Sequence, residues 1–498
     1  MSTGSHILAL DQGTTSTRAI IFDSSSRPVA TSQLPIDVTF PRPGWVEQDP
    51  TQIWERTVEV IRVAIAEASL FLSDIAAIGI TNQRETSVLW DRATGRPLAP
   101  AIVWQSRQSA PVIQRWRNAG HEPRVRAITG LVLDPYFSAS KIVWAMEQDA
   151  QIRRAMEAGT VAFGTIDSWL VWNLTGGEHL IDVSNASRTM LFDIHKLTWS
   201  DELLETFGVP RSILPRTVPS AGEAARTSKE FGGVPVAGIA GDQHAALFGQ
   251  ACFQTGQAKN TYGTGSFLLM NAGRTAPVSS HGLLTTIGSS FGDRTTYALE
   301  GAILVSGSAV QWLRDGLGII DSSDDMEPLA RSVPDAGGVV FVPALAGLGA
   351  PDWDERARGT IVGITRGTTR AHIARATLEA IAFQVGDVLR SMEADTGLPT
   401  AELRVDGGAA RNDLLLQFQA DVSGVPVMRS AVQETTALGA AWLAGIGVGL
   451  WSGTDEVSGL WRGDRTFEPS MSADEREART VIWREAVHRS KAWAPESA

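Results

Sequence analysis

A single cysteine, Cys252, stands in 498 residues. No internal disulfide can form, and a reducing, cytoplasmic setting is expected. Lysine is scarce: Lys141, Lys196, Lys229, Lys259 and Lys491 are the whole supply, so cationic contacts to a ligand fall mainly to arginine. Long hydrophobic runs are missing. The longest, ALGAAWLAGIGVGLW at 437–451, is rich in glycine and shorter than the ~20 residues a membrane span needs. It reads as a buried helix and turn. The opening MSTGSHILALD has neither the basic stretch nor the apolar core of a secretory signal. Positive charge is in deficit, with a formal net charge of −12. That excludes nucleic acid and anionic membrane surfaces as partners on bulk electrostatics, although a local site can still hold a small anion. The familiar phosphate loops are absent too. No Gly-Lys dipeptide occurs, hence no P-loop, and no Gly-x-Gly-x-x-Gly follows a predicted strand.

What is present is a chain long enough for two large domains, with 43% hydrophobic and 20% charged residues, the balance of a soluble globular protein. ILALDQGTTSTRAIIFD at 7–23 predicts strand, tight turn, strand. PTQIWERTVEVIRVAIAEA at 50–68 has helical spacing behind a Pro50–Thr51 start, and IAAIGITNQ follows as a buried strand. Such alternation predicts an α/β architecture. Near the midpoint the opening recurs: Gly13-Thr14-Thr15-Ser16 is echoed by Gly263-Thr264-Gly265-Ser266. The echo suggests a duplicated domain, with a boundary near residue 251.

Both Gly/Thr/Ser turns offer backbone N–H groups and hydroxyls that suit phosphate oxygens, though ordinary tight turns share this composition. A third candidate, Asp406-Gly407-Gly408, lies between a predicted strand and helix, where a phosphate or flat ring can approach the backbone. In VAGIAGDQHAALFGQ at 236–250, Asp242 ends one apolar segment and begins another. There an aspartate caps a helix, delivers a carboxylate to a cleft, or does both.

Nine segments then fall in a revealing order: ALDQGTTSTRAIIFD, GWVEQDP, GITNQRET, GLVLDPYFSASKIVW, GDQHAALFGQ, YGTGSFLLMN, GSAVQWLRD, GLGAPDWDERARGTIVGITRG and VDGGAARNDLLLQFQ. Spread from residue 9 to about 420, they resemble the FGGY carbohydrate kinase family of the actin-like ATPase superfold, and within it the members acting on glycerol. The resemblance implies an α/β fold of two ribonuclease-H-like domains with an interdomain active-site cleft. Residues 1–251 would bind the polyol and carry the base, and residues 252–498 would bind the nucleotide.

The implied reaction is ATP-dependent phosphorylation of glycerol to sn-glycerol 3-phosphate. Asp242 matches the general base. Arg84, Glu85, Tyr136, Asp242 and Gln243 match the polar polyol contacts, and Trp104 and Phe267 match an apolar wall against the carbon face. Thr14, Thr15, Ser16 and Arg18 match the first phosphate turn, and Gly263, Thr264 and Gly265 match the second. Gly307, Gln311, Gly408 and Asn412 match the nucleotide lining. Asp11, through water, and Asp242 match the carboxylates near Mg²⁺. ATP and Mg²⁺ are thus the implied cofactors, a small polyol the implied partner, and a homo-oligomer (dimer or tetramer) the implied assembly.

The chain departs from the family pattern at Ser106, Arg107 and Gln108, at Ala139 and at Asp352. It also lacks the Gly-Gly-x-Arg loop that the family uses for a sugar bisphosphate effector. Another small polyol or ketose, such as erythritol or xylulose, therefore stays open as substrate. An actin- or Hsp70-like ATPase would share the two phosphate turns but has no use for Arg84, Glu85, Tyr136 and Gly-Asp-Gln together.

Overall fold

The computed structural model describes residues 4–495. Its spine is one mixed sheet of thirteen strands. In chain order these are β1 His6–Gln12, β2 Ser16–Phe22, β3 Pro28–Pro35, β4 Ile75–Asn82, β5 Ala221–Arg226, β6 Pro235–Gly241 and β7 Ala258–Tyr262. They continue with β8 Ser266–Gly273, β9 Leu284–Phe291, β10 Arg294–Ile303, β11 Leu403–Asp406, β12 Val427–Ser430 and β13 Gly463–Phe467. Across the sheet the order is β13-β12-β11-β7-β8-β10-β9-β5-β6-β4-β1-β2-β3.

That order contains a duplication. Strands β3-β2-β1-β4-β6 pair antiparallel, antiparallel, parallel, parallel. Strands β10-β8-β7-β11-β12 repeat the same series. Each Gly/Thr turn joins the first two strands of its half, so the short sequence echo marks a repeat of topology. The two halves meet within the sheet where β5 runs beside β9 at one register pair, Ala221 with Phe291.

Local sequence accounts for the elements. All eight residues of β4 are buried, as expected of a central parallel strand covered on both faces. Helix α1, Pro50–Glu67, starts where predicted: the Asp49 side chain accepts from the Thr51 N–H at 2.8 Å, and proline takes the first helical position. Helices α2 Asp242–Gly249 and α3 Gly307–Asp315 follow strands of the sheet, α4 Arg370–Thr396 follows a separate two-stranded ribbon, and α5 Asp413–Ser423 follows β11. A separate apolar cluster drawn largely from residues 112–214 packs on Leu284, Ile287 and Tyr297, and this layer carries Tyr136.

The run at 437–451 is a buried helix, α6 Thr435–Gly447, followed by a turn with Gly449 at φ 76°. Although it comes late in the chain, α6 covers β1, β4 and β6. Ala437, Leu438, Ala441 and Trp442 join Ile7, Ala9, Ala77 and Ala240 in one core cluster. Close approach requires glycine on both sides. A Cβ on Gly79 of β4 would lie 2.2 Å from the Ala440 carbonyl, and one on Gly439 would lie 1.8 Å from that of Ala245. Among the described residues, no helix is long and apolar enough to cross a membrane.

Candidate active site

The register of the parallel strands builds the floor of the site. Asp11 stands opposite Thr81 and Gln12 opposite Asn82, while Ala240 and Gly241 face the same two residues from the other side. The carboxyl ends of β1, β4 and β6 therefore finish level, the position where open α/β sheets bind ligands. Asp11 is the penultimate residue of β1, and Asp242 is the first residue after β6. Asp242 does not cap α2. Gly241 occupies the cap with extended backbone and no side-chain bond, so the carboxylate of Asp242 is left for other partners. It accepts from the Gln243 N–H at 2.7 Å and pairs with Arg84 Nε at 3.1 Å.

Asp242 keeps about 29% of its side chain open to the cleft. Burial nevertheless pushes its pKa up, outweighing Arg84, the Gln243 N–H and Lys259, which pull it down. Asp11 is pushed up to about 6, first by burial and further by the charge of Asp242, while Arg18 pulls it down. Two carboxylates thus repel one another across a poorly solvated floor.

Beside Asp242 the fold assembles a buried charge network. Arg84 and Glu85 are 3% and 1% exposed. The Arg84 fork is turned to Glu300: Nη1 and Nη2 both donate to its carboxylate, the latter at 3.0 Å, and Nη2 also reaches the Tyr136 hydroxyl at 3.3 Å. Arg188 Nε donates to Glu85 at 2.7 Å, and its Nη2 donates to Glu300 at 2.9 Å. Burial opposes the charge on Glu300, but Arg188 and Arg84 outweigh it and hold the carboxyl at about 2. Glu85 sits in left-handed backbone at φ 58°, uncommon for a non-glycine residue. Its carbonyl is held there by Ser138 Oγ at 3.1 Å and Lys141 Nζ at 3.0 Å. The sequence reading missed Glu300 and Arg188. The available signal was a lone carboxylate within the apolar strand TTYALEGAI.

The aromatic wall comes together from both halves. The Trp104 ring meets Tyr136 edge-on at 5.6 Å between centroids and Phe267 at 6.3 Å. Trp104 Nε1 donates to Thr14 Oγ1 at 2.9 Å, tying the wall to the first phosphate turn. Gln243 lies alongside, its side-chain carbonyl accepting from Lys259 Nζ. The hydrogen bonds of Ser106 and Gln108 go to residues outside this wall. Ser106 Oγ donates to Gln108 at 2.7 Å and accepts from the Val46 N–H, while Gln108 Nε2 reaches Glu47 at 3.4 Å.

Register brings the second and third phosphate candidates together, and Trp104, which bonds Thr14 and meets Phe267, links the first to the second. In the first turn the Gly13 N–H donates to the Ser16 carbonyl at 2.9 Å, with Thr15 exposed and Ser16 half-buried. Arg18 pairs with Glu434 and lies 4.0 Å from Asp11. In the second turn the Gly263 N–H donates to Gly265 at 2.8 Å, and the Thr264 carbonyl accepts from the Ser306 and Ser308 N–H groups at 2.9 and 3.0 Å. This docks the turn on the start of α3, where Gly307 donates to the Gly263 carbonyl at 3.0 Å and Gln311 is exposed one turn later.

Thr261 and Asp406 are level across β7 and β11, which brings the third turn beside the second. Gly407 adopts φ 88°, and a Cβ there would lie 2.4 Å from the Tyr262 carbonyl. Gly408 is exposed, and the side-chain oxygen of Asn412 caps α5 by accepting from the Leu415 N–H at 2.9 Å. A cavity of about 360 Å³ opens beside this turn, lined by Asp406, Gly407, Ala410, Arg411 and Arg429.

Comparison with known proteins identifies the family. The N-terminal domain of the FGGY family of carbohydrate kinases matches residues 6–249, and the C-terminal domain of that family matches residues 258–448. Glycerol kinase 2 of Thermotoga maritima is 56% identical over 491 residues, covering 98% of this chain and 99% of its own length. The glycerol kinase of Bordetella parapertussis is 55% identical over 505 residues, covering 100% and 99%. A crystal structure of Plasmodium falciparum glycerol kinase with ADP matches the fold with a TM-score of 0.91 at 38% identity, covering 97% of this chain and 98% of that one.

Proposed function

The chain belongs to the FGGY family of carbohydrate kinases, and we propose that it transfers the terminal phosphoryl group of ATP to glycerol, giving sn-glycerol 3-phosphate. The observation that carries this reading is that Asp11, Asp242 and the first Gly/Thr turn stand at the level ends of β1, β4 and β6, while an aromatic wall from both halves links them to the second Gly/Thr turn. The relatives named glycerol kinase, similar over nearly the full chain, select the alcohol.

In this reading a glycerol hydroxyl oxygen attacks the terminal phosphorus. The bond from that phosphorus to the bridging oxygen breaks, and ADP departs. The hydroxyl proton passes to Asp242, whose raised pKa makes it a better base than an ordinary aspartate. Glu85 accepts a second hydroxyl, Arg84 and Tyr136 contribute donors, and Trp104 and Phe267 contact the carbon face. Arg188 and Glu300 hold Arg84 and Glu85 in place, which limits the reorganisation needed when substrate binds.

Thr14, Thr15, Ser16 and Arg18 take the phosphates from one side, and Gly263, Thr264 and Gly265 take them from the other. Gly307, Gln311, Gly408 and Asn412 line the nucleoside end. With its oxygen engaged as a cap, Asn412 offers its NH₂ to the nucleotide. Magnesium is usually held by one or two carboxylates together with substrate phosphates, and the mutually repelling pair Asp11 and Asp242 fits that requirement. When bound there, the ion would neutralise charge on the phosphate oxygens.

A division near residue 251 between a polyol-binding and a nucleotide-binding domain belongs to the same reading. So do homo-oligomeric assembly and a cytoplasmic location, the latter favoured by a lone, fully buried cysteine whose thiol burial pushes up to about 12. The test is coupled ADP release with Mg-ATP and a panel of glycerol, dihydroxyacetone, erythritol, xylitol and xylulose. The highest kcat/KM on glycerol supports the assignment. A higher value on another acceptor reassigns the substrate, and ADP release that needs no acceptor refutes a kinase.

A further inference from the structure

Lys259 takes part in none of the steps above, yet it is fully buried at the cleft. It lies on β7, in the second half of the chain, and its ammonium group has three protons and no accepting capacity. All three protons are met by neutral oxygens: the side-chain carbonyl of Gln243, Thr261 Oγ1 at 3.0 Å, and the main-chain carbonyl of Phe267 at 3.3 Å. Two of these acceptors belong to residues assigned above to the polyol. An isolated primary amide can present either end to a ligand. Against a donor-only ammonium, Gln243 can present only its oxygen. Its NH₂ is then the end left for the cleft, and that nitrogen makes no hydrogen bond within the protein among the described residues.

We propose that Lys259 is a positioning residue for the acceptor alcohol: it fixes the Gln243 amide with its NH₂ toward the polyol and anchors the Phe267 wall at the same time. Gln243 then donates to a glycerol oxygen beside Asp242, which can only accept when ionised. The two neighbours thus read opposite ends of the acceptor's hydrogen-bonding pattern. Burial pushes the Lys259 pKa down to about 8, while Asp406 and Asp242 pull it up, so the ammonium persists at neutral pH. A buried ammonium held by neutral oxygens costs more than an unbranched apolar side chain such as methionine, which argues against a purely packing role. The inference rests on the reading of Gln243 as an acceptor contact.

Four full-length proteins test it: Lys259→Met, Gln243→Ala, the double variant, and Gln243→Glu. Each is assayed for glycerol KM, ATP KM, kcat and melting temperature. Loss of one neutral hydrogen bond corresponds to roughly a three- to tenfold effect. Lys259→Met should raise glycerol KM by about that factor with ATP KM within twofold, and the double variant should be no worse than the worse single. Gln243→Glu keeps the shape and strengthens the contact to Lys259 but removes the NH₂. It should melt no lower than wild type and still raise glycerol KM, a pattern a structural contact alone would not produce. Additive single effects, or an equal rise in ATP KM, overturn the role of Lys259. An unchanged glycerol KM in Gln243→Ala overturns the underlying reading of Gln243 instead, so the two failures are distinct.

Discussion

The central carboxylate of the buried network is the place to perturb first. Glu300 is wholly inaccessible and accepts from both Arg84 and Arg188. The substitution Glu300→Gln keeps the shape of the side chain and removes its charge. Two buried guanidinium groups would then face Glu85 and Asp242 alone. Removing one member of a buried ion pair costs about 3–5 kcal/mol. At about 2–4 °C per kcal/mol for a domain of this size, the melting temperature should fall by roughly 6–20 °C.

The pH dependence carries a sign. The folded pKa of Glu300 lies near 2, below its ordinary 4.5. Its stabilisation is therefore fully present above about 4.5 and is lost as pH falls toward 2. The gap between wild type and Glu300→Gln should be constant from pH 6 to 8 and narrow below 4.5. Scanning calorimetry across that range, with glycerol kcat/KM at pH 7, makes the measurement. A variant melting within 2 °C of wild type at neutral pH, with unchanged kcat/KM, would refute the claim that this charge organises the site.

Other expectations follow from the same geometry. Asp242→Asn should lower kcat by about 10²–10⁴-fold, the usual scale of general base catalysis, with little change in melting temperature, as seen by coupled ADP release. Because burial raises the pKa of Asp242, the acid limb of kcat/KM should lie above the ordinary aspartate range, with activity falling as pH drops through it. A limb at or below pH 4 in a buffered profile counts against the assignment. Arg18→Ala should raise ATP KM several-fold and leave glycerol KM alone. Its partly exposed pair with Glu434 is worth under about 1 kcal/mol, so melting should barely move.

How much of this was legible in the chain depended on the range of the interaction. Both Gly/Thr turns, the α1 start and the buried helix at 437–451 are set by local spacing, and the structure has them where the spacing puts them. Asp242 was legible as a carboxylate at a strand end, but the cap fell to Gly241, whose extended backbone takes that position without a side chain. The depth at which Arg84 and Glu85 lie was not legible, because nothing nearby in sequence covers them. Their partners Arg188 and Glu300 lie more than a hundred residues away. Lys259 was visible as one of five lysines, yet its meaning depends on Gln243 and Phe267 meeting it in space. Ser106 and Gln108 stand near Trp104 in sequence, yet their hydrogen bonds go to one another and to Val46 and Glu47, partners that no short motif records.

The lateness of α6 bears on how the molecule is made. While a ribosome emits the first 250 residues, the apolar face formed by Ile7, Ala9, Ala77 and Ala240 has no cover, because Ala437, Leu438, Ala441 and Trp442 do not yet exist. The opening half must wait through nearly two hundred further codons with one side of its sheet unsealed, a long window for misassociation or chaperone capture. Gly79 and Gly439 sharpen the constraint, since the helix must arrive in a groove that tolerates no added carbon. Completion of the earliest-made strands is thereby tied to one of the last-made helices, so truncated nascent chains cannot pass as finished enzyme.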